Sequence, residues 1–208
     1  MIESNFMDEA LLIQSAKKGD LESFNTLILE QQNHVFNTAL RILGDEHMAA
    51  DATQEAFLSA FRSLTTFRGG SFRAWLLRIV TNAAYDELRR QKRRPSVPLD
   101  PQPVNGEEGD SPRWLADPAM SPEQKIEAEE LQTAIQHCLD NLPVEYRAVV
   151  VLADIQGLDY SEVASVVRAP LGTIKSRLAR ARLRLRECLR GFRELLPSAF
   201  RLEGEHTV

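Results

Sequence analysis

The chain has little of what marks secreted or membrane proteins. Its 208 residues include two cysteines, Cys138 and Cys188, too few for the disulfide framework of a small secreted domain. Each lies in a helical pattern beside apolar residues, so we expect two free thiols in a reducing cytoplasm, with a disulfide between them as the alternative. No N-terminal apolar run resembles a signal peptide, and none approaches the ~20 apolar residues of a membrane span. We therefore expect a soluble cytoplasmic protein without membrane insertion.

Signs of catalytic or metal chemistry are also scarce. The four histidines are scattered without metal-ligand spacing, and no Gly-rich phosphate loop or nucleophile motif appears. The one thin metal candidate is His47 with its acidic neighbours Asp45, Glu46 and Asp51, which an exposed acidic helix start explains better. We therefore expect that the protein is not an enzyme and binds neither a metal nor a cofactor.

Acidic residues are nearly absent from two basic blocks, although the net charge is −5. Residues 168–193 hold eight Arg and one Lys against one Glu, and residues 89–94 hold five bases in six positions. Charge segregation of this kind is the footprint of a surface that contacts a nucleic-acid backbone. A solvated basic helix end is the alternative for the shorter block.

Helical periodicity runs through the chain, and no segment alternates with period two. We expect one helix to end at Gly19-Asp20, a second to reach about residue 31, and a longer one to run from Val35 to Gly44. A further helix carries Ala52, Ala56, Phe57, Ala60, Phe61 and Leu64 as a buried stripe. Ser71 then caps a helix with Phe72 and Trp75 inside. The fold class is all-α.

Composition changes abruptly between Pro95 and Pro122, where seven of the ten prolines and five acidic residues fall. Such a segment buries too little surface to offset its ordering entropy, which predicts a flexible linker. Trp114 and Leu115 within it either dock on a domain or partner or are simply exposed. We expect two small helical domains, at 1–95 and 122–193, with a linker at 96–121 and a frayed tail at 194–208.

Two helices joined by a tight turn are predicted from Asp159 to Arg186. Asp159 and Glu162 have capping-box spacing, and the second helix starts at Gly172 or Thr173 after Pro170. Its inward positions leave basic residues on the outer face, which suits entry into a DNA major groove. The predicted inward positions are Ile174, Leu178, Ala181 and Leu185.

Three separated runs give a specific resemblance: DATQEAFLSAFRSL, FRGGSFRAWLLRIVTNAAYDELRR and LPVEYRAVVVLADIQGLDYSEVASVVRAPLGTIKSRLARARLRLR. Together they resemble an extracytoplasmic-function (ECF) sigma factor of bacterial RNA polymerase, in the sigma-70 family, over most of residues 10–190. The resemblance implies binding to core RNA polymerase, through the clamp helices of β′ and the flap of β, and to promoter DNA. It also implies control by an anti-sigma factor.

The resemblance assigns roles to three sets of residues. The first run implies the polymerase contacts Asp51, Gln54, Glu55, Leu58 and Arg62. A solvated face with local pairs is the alternative there. The second run implies a single-stranded −10 contact at Arg78, Asn82, Asp86, Arg89, Arg90, Lys92 and Arg93, with Asn82 reading a flipped base. The third implies a −35 contact at Lys175, Ser176, Arg177, Ala179 and Arg180.

Two points within these assignments stay open. Phe67, Phe72 and Trp75 are stacking platforms for bases in one interpretation, but helical spacing favours the core for Phe72 and Trp75. The Gly70-Ser71 loop is one residue shorter than in many relatives, which leaves the −10 base preference undefined. Arg182, Arg184 and Arg186 are expected to contact phosphates or solvent.

The favoured function is therefore a promoter-specificity subunit that acts on polymerase without chemistry of its own. A stand-alone regulator that binds a palindrome as a dimer is the alternative. That alternative explains the C-terminal domain only and leaves the N-terminal motifs unused.

Overall fold

The computed structural model describes residues 2–93 and 121–196. Within those ranges every regular element is a helix, which confirms the all-α class and the two-domain architecture. The predicted linker up to residue 120, with Trp114 and Leu115, and the tail from residue 197 lie outside the described residues.

The N-terminal domain contains four helices: α1 (Ile2–Lys17), α2 (Leu21–Leu43), α3 (Glu46–Ser63) and α4 (Phe72–Arg93), with a short 3-10 turn (Leu64–Thr66) after α3. Helices α2, α3 and α4 pack on one another, and α1 packs on α2. The core they share is apolar at helical spacing, as an amphipathic bundle requires. Its most buried large residues include Leu27, Val35, Ile42, Phe72, Leu76, Leu77 and Val80.

Helix α2 is longer than predicted. We expected a break between residue 31 and Val35, but the helix runs unbroken from Leu21 to Leu43. Gln32 and Asn33 are exposed, whereas Leu27 and Val35 on either side are buried. The polar pair therefore only marks the solvent side of one turn, and no Gly or Pro interrupts it.

Capping side chains and a glycine fix the ends of the helices in the N-terminal domain. Asp20 accepts from the backbone N–H groups of Glu22 and Ser23, each at 3.3 Å, and so caps α2. Gly44 ends α2 with φ 74°, in the left-handed region that glycine adopts without a Cβ penalty. Ser71 Oγ accepts from Ala74 N at 3.0 Å, which confirms the predicted cap of α4.

The C-terminal domain contains α5 (Pro122–Asp140), α6 (Val144–Val150), α7 (Tyr160–Val167) and α8 (Leu171–Leu189). Helix α6 continues into a π-helical turn (Val151–Ile155), and a 3-10 turn (Arg190–Phe192) follows α8. The predicted helix-turn-helix is α7 and α8. Its capping box is present, because Asp159 Oδ1 accepts from Glu162 N at 2.8 Å and Glu162 Oε2 accepts from Asp159 N at 3.0 Å. Helix α8 begins one residue before the predicted start.

The expectation of two free thiols is wrong in this structure. Cys138 on α5 and Cys188 in the last turn of α8 form a disulfide, with Cα atoms 5.7 Å apart. That separation lies inside the range that a disulfide spans. Cys138 is 1% exposed, because the end of α8 packs over α5. Fifty residues separate the two cysteines, so only the folded topology brings them together.

The two domains adjoin along one face of α2 and α4. Helix α2 contacts α5 and α6, and α4 contacts α7. Arg73 of α4 donates to the backbone carbonyl of Gln156 at 2.6 Å, and Gln156 is 4% exposed. Arg41 of α2 donates to Gln136 Oε1 at 3.1 Å. No sequence pattern pointed to this junction, because it depends on contacts between residues more than 80 positions apart.

Candidate nucleic-acid and protein-docking surfaces

The outer face of α3 presents the residues predicted to bind polymerase. Alanines at positions 52, 56 and 60 lie one turn apart and are buried, so α3 approaches its neighbours closely. The predicted contact residues lie on the other faces, all exposed, and among the described residues none of their charged groups forms an ion pair. The predicted set is brought together on one helix: Asp51, Gln54, Glu55, Leu58 and Arg62.

An apolar groove runs beside this face and was missed in the sequence. Phe61 was predicted to be buried, but its side chain is 45% exposed, and Phe57 is only partly buried. Phe61 packs edge-on against Phe24 of α2 with ring centroids 5.1 Å apart. The groove, of about 540 Å³, lies between α2 and α3 and also includes Leu21 and Leu58. The sequence signal for this groove is the alanine line of α3: with these small residues facing the core, Phe61 lies at the edge of the buried face.

The polar face of α4 carries the predicted −10 residues. Asn82, Asp86 and the basic residues after them are exposed, while Arg78 is partly buried. Asp86 is not an isolated acid, since its Oδ1 pairs with Arg89 Nη1 at 3.0 Å. Arg90 pairs with Glu87 at 2.6 Å, and Glu87 was not among the predicted residues. Lys92 and Arg93 add positive charge at the exposed end of the helix.

The aromatic residues beside this face belong to the core. Phe67, Phe72 and Trp75 are 6%, 1% and 9% exposed. Their ring centroids are 5.4–5.7 Å apart, in edge-on and tilted arrangements. The core interpretation of Phe72 and Trp75 is confirmed, and Phe67 joins them. Gly69 and Gly70 form the short loop before α4, both with positive φ.

Helix α8 presents the predicted −35 residues on its outer face. Lys175, Ser176, Ala179 and Arg180 are exposed, and Arg177 is partly buried. Ile174, Leu178 and Ala181 are at most 1% exposed, as predicted, so the helix is anchored by the face opposite its basic residues. Ser176 Oγ donates to the carbonyl of Thr173 at 2.9 Å, which occupies its hydroxyl hydrogen within the helix.

Arg180 of this set and the arginines that follow it have unequal partners. Arg182 donates two hydrogen bonds to Asp154, of 2.9 and 2.6 Å, while its side chain is 49% exposed, so its expected contact with phosphate or solvent stays a prediction. Arg180 Nη1 instead donates to Tyr146 Oη at 3.4 Å, and Arg184 lies 5.5 Å from the centroid of the same ring. Tyr146 and Asp154 were both missed, since each reaches α8 from the helix that begins at Val144.

The two predicted DNA surfaces meet at Tyr85 of α4. Burial raises the pKa of Tyr85 to about 12, and the negative charge of Glu145 acts in the same direction. Arg177 and Arg89 oppose this shift, so one residue from each surface lies near the phenol.

The described residues contain neither a metal-binding cluster nor a membrane-spanning helix. No group of three His, Cys, Asp or Glu side chains there is arranged to hold a metal ion. Among the helices at 2–93 and 121–196, none is long and apolar enough to cross a membrane.

Two family models match the chain at the two domains. Sigma-70 region 2 matches residues 27–94, which include all of α3 and all of α4. Sigma-70 region 4 matches residues 132–185, which include all of α7 and most of α8.

Three relatives with similar sequences are also RNA polymerase sigma factors. The chain is 35% identical over 182 residues to the ECF RNA polymerase sigma-E factor of Escherichia coli, covering 86% of this chain and 93% of the relative. It is 34% identical to the RNA polymerase sigma-H factor of Pseudomonas aeruginosa, covering 82% and 88%. It is 38% identical to the ECF sigma factor SigE of Mycolicibacterium smegmatis, covering 81% of this chain but only 62% of that protein.

Solved structures agree in fold. CnrH, determined in complex with the cytosolic domain of CnrY, is 25% identical with a TM-score of 0.62, covering 88% of this chain and 98% of CnrH. The sigma factor RpoE of Bartonella quintana, in complex with the anti-sigma factor NepR, is 24% identical with a TM-score of 0.61, covering 81% and 98%.

These matches define the class of protein, a sigma factor of bacterial RNA polymerase. Within that class, the chain belongs to the ECF sigma factors of the sigma-70 family.

Proposed function

We propose that this sigma factor holds core RNA polymerase with α3 and reads the promoter with α4 and α8. The polymerase contacts are Asp51, Gln54, Glu55, Leu58 and Arg62, placed against the β′ clamp helices. The −10 strand is held by Arg78, Asn82, Asp86, Arg89, Arg90, Lys92 and Arg93. The −35 duplex is held by Lys175, Ser176, Arg177, Ala179 and Arg180.

The observation that supports this proposal is the placement of all three sets on outer helix faces. Every one of these side chains is exposed except Arg78 and Arg177, which are partly buried. Each set lies opposite a buried apolar line, so the helices present them without disturbing the core. The two basic sets have the charge that phosphate contact requires, and α3 has the mixed charge that suits a protein partner.

The remaining parts of the proposal concern partners and location. The protein acts in the cytoplasm, has no catalytic chemistry or cofactor, and leaves bond formation to polymerase. Domains at 1–95 and 122–193 are joined by the linker at 96–121, and the second domain also meets the β flap. Because RpoE of similar fold was solved in complex with the anti-sigma factor NepR, and CnrH in complex with the cytosolic domain of CnrY, we include an anti-sigma factor, which the groove beside α3 suits.

Run-off transcription with purified core polymerase and a promoter library tests the function directly. Added protein should create start sites that core polymerase alone does not use. Failure to direct any new start site would overturn the proposal. Footprinting without polymerase addresses the alternative regulator, because protection of two equivalent half-sites would support that instead.

Substitutions test the division of roles. Arg177→Ala and Arg180→Ala should weaken dependence on the −35 sequence while leaving core binding intact. Gln54→Ala combined with Arg62→Ala should weaken core binding. Arg190→Ala is the matched control, since Arg190 is exposed just beyond α8 and outside all three sets. The reverse pattern would show that the surfaces are misassigned.

A further inference from the structure

Three arginines form a stripe along α8 that extends the predicted −35 surface. Arg177, Arg180 and Arg184 are spaced three and four residues apart, so they share one side of the helix. Arg180 and Arg184 are exposed and form no ion pair with any described residue. Long unpaired arginines normally sample many rotamers, and ordering them on binding costs free energy.

Tyr146 of α6 lies against this stripe. Its ring is partly buried against the core where α6 packs on α8, so the side chain has a fixed base. Its hydroxyl oxygen accepts from Arg180 Nη1 at 3.4 Å, and its ring lies 5.5 Å from the guanidinium carbon of Arg184. One side chain thus touches two cations through two different interactions.

The electrostatics agree with this geometry. The pKa of Tyr146 is lowered, chiefly by the hydrogen bond from Arg180, with the charges of Arg180, Arg184 and Arg177 acting in the same direction. All three arginines of the stripe therefore lie near one neutral phenol.

Arg182 shows what a different partner does. Asp154 binds its guanidinium through two oxygens, and Tyr160 Oη accepts a further bond at 3.4 Å. The Asp154 carboxylate fixes the position of the Arg182 guanidinium but also neutralises its positive charge. Tyr146 is neutral, so it orders Arg180 and Arg184 while their full charge stays available to DNA.

We propose that Tyr146 is a positioning residue for −35 recognition, which holds the guanidinium groups of Arg180 and Arg184 in place before the duplex is bound. This inference rests on the proposed −35 role of α8. Tyr146 itself need not touch DNA. Its contribution is to lower the free-energy cost of fixing the Arg180 and Arg184 side chains when DNA binds.

The test uses the full chain in holoenzyme, with a promoter that depends on its −35 element and a matched template with that element scrambled. Tyr146→Phe removes only the hydroxyl and retains the ring beneath Arg184. The loss of one hydrogen bond should lower promoter affinity about three- to tenfold on the −35-dependent template. Core binding and the unfolding temperature should not change, and the scrambled template should show no loss.

Tyr160→Phe is the matched control. It removes a hydroxyl that also contacts an arginine of α8, but one that Asp154 already holds. Its promoter affinity should equal that of the wild type. An equal loss in both variants would overturn the proposal, because the effect would then be general to the surface.

A double substitution separates the positioning role from the −35 assignment. If Tyr146 acts through Arg180, Tyr146→Phe should add no further loss in an Arg180→Ala background. A full additional loss would overturn the coupling to Arg180. If Arg180→Ala weakens −35 dependence and Tyr146→Phe does not, the positioning role alone fails. If Arg180→Ala itself has no effect, the −35 assignment fails and takes the positioning role with it.

Discussion

Arg147 Nη1 donates a hydrogen bond of 2.7 Å to the backbone carbonyl of Ile42, across the junction of the two domains. The same guanidinium pairs with Asp140 Oδ1 at 2.8 Å and donates to the carbonyl of Asp140 at 2.8 Å. Ile42 lies in the last turn of α2, where carbonyls lack partners within the helix. The arginine therefore satisfies the end of α2 from the other domain and ties the domains at that point.

Gly44→Ala should weaken this tie. A Cβ at Gly44 would lie 2.7 Å from Asp140 Oδ1, and Asp140 is held by Arg147 and by Gln136. The Asp140 carboxylate must shift, which weakens its ion pair with Arg147. The left-handed φ of 74° adds a penalty of about 1–2 kcal/mol for any side chain. The unfolding free energy of Gly44→Ala should therefore fall by the backbone penalty plus about 1 kcal/mol for the weakened ion pair. Urea denaturation measures this change.

Gly19→Ala is the control for that measurement. Gly19 also has positive φ, of 100°, but nothing lies within 4 Å of its Cβ position. It should lose only the backbone penalty. Equal losses in the two variants would show that Asp140 adapts freely and that the contact at Gly44 does not stabilise the junction.

Local rules were sufficient to predict much of this fold. The Gly19-Asp20 break, the Ser71 cap and the Asp159–Glu162 capping box each depend on residues within one helical turn, and each is present. The buried line of α8 was also predictable, since it repeats at helical spacing. Polar residues failed as a guide only within α2, where an exposed turn was taken for a break.

Contacts between distant helices were not predictable in the same way. Tyr146 meets Arg180 across 34 residues, and Arg147 meets Ile42 across 105. Nothing in the local pattern of either residue specifies the partner, because the partner depends on how the helices pack. The residues predicted to bind polymerase and DNA were identified by family resemblance. The structure adds which of them form ion pairs or hydrogen bonds with neighbouring side chains.

The disulfide between Cys138 and Cys188 should stabilise the C-terminal domain. It closes a loop across 50 residues of sequence, and a loop of that length corresponds to about 4 kcal/mol of lost chain entropy in the unfolded state. Oxidised protein should therefore unfold at a higher temperature than reduced protein. Thermal unfolding with and without reductant, checked by thiol titration, measures the difference.

Cys188→Ser provides the control for the effect of reduction. This variant should unfold at the temperature of reduced wild type and should not respond to reductant. A response in Cys188→Ser would mean that reductant acts elsewhere. If oxidised and reduced wild type unfold alike, the bond does not stabilise the fold.

Tyr85 should ionise later than a free tyrosine. Its pKa is raised from the ordinary value of 10.0 to about 12, first by burial between the domains. The folded state favours the neutral phenol, so the contribution of Tyr85 to stability is fully present below pH 10 and is lost as pH rises through about 12. Ultraviolet titration of tyrosinate, with unfolding measured at each pH, should show a late ionisation step.

Substitutions identify the tyrosines in that titration. Tyr85→Phe should remove the late step and make stability less dependent on pH in the same range. Tyr146→Phe should remove an earlier step, since the hydrogen bond from Arg180 lowers the pKa of Tyr146. A late step that persists in Tyr85→Phe would show that Tyr85 is not buried at the junction in solution.

Arg182→Ala should affect stability slightly and promoter binding hardly at all. The Arg182–Asp154 pair is partly exposed, with side chains 49% and 34% accessible, so its loss should cost about 1 kcal/mol or less. Since Asp154 already occupies the guanidinium, no phosphate contact is lost. The slope of log affinity against log salt should therefore be unchanged, whereas Arg184→Ala, which removes an unpaired cation, should reduce it by about 1. A reduction of that size in Arg182→Ala would mean that DNA displaces Asp154 and that the pair opens on binding.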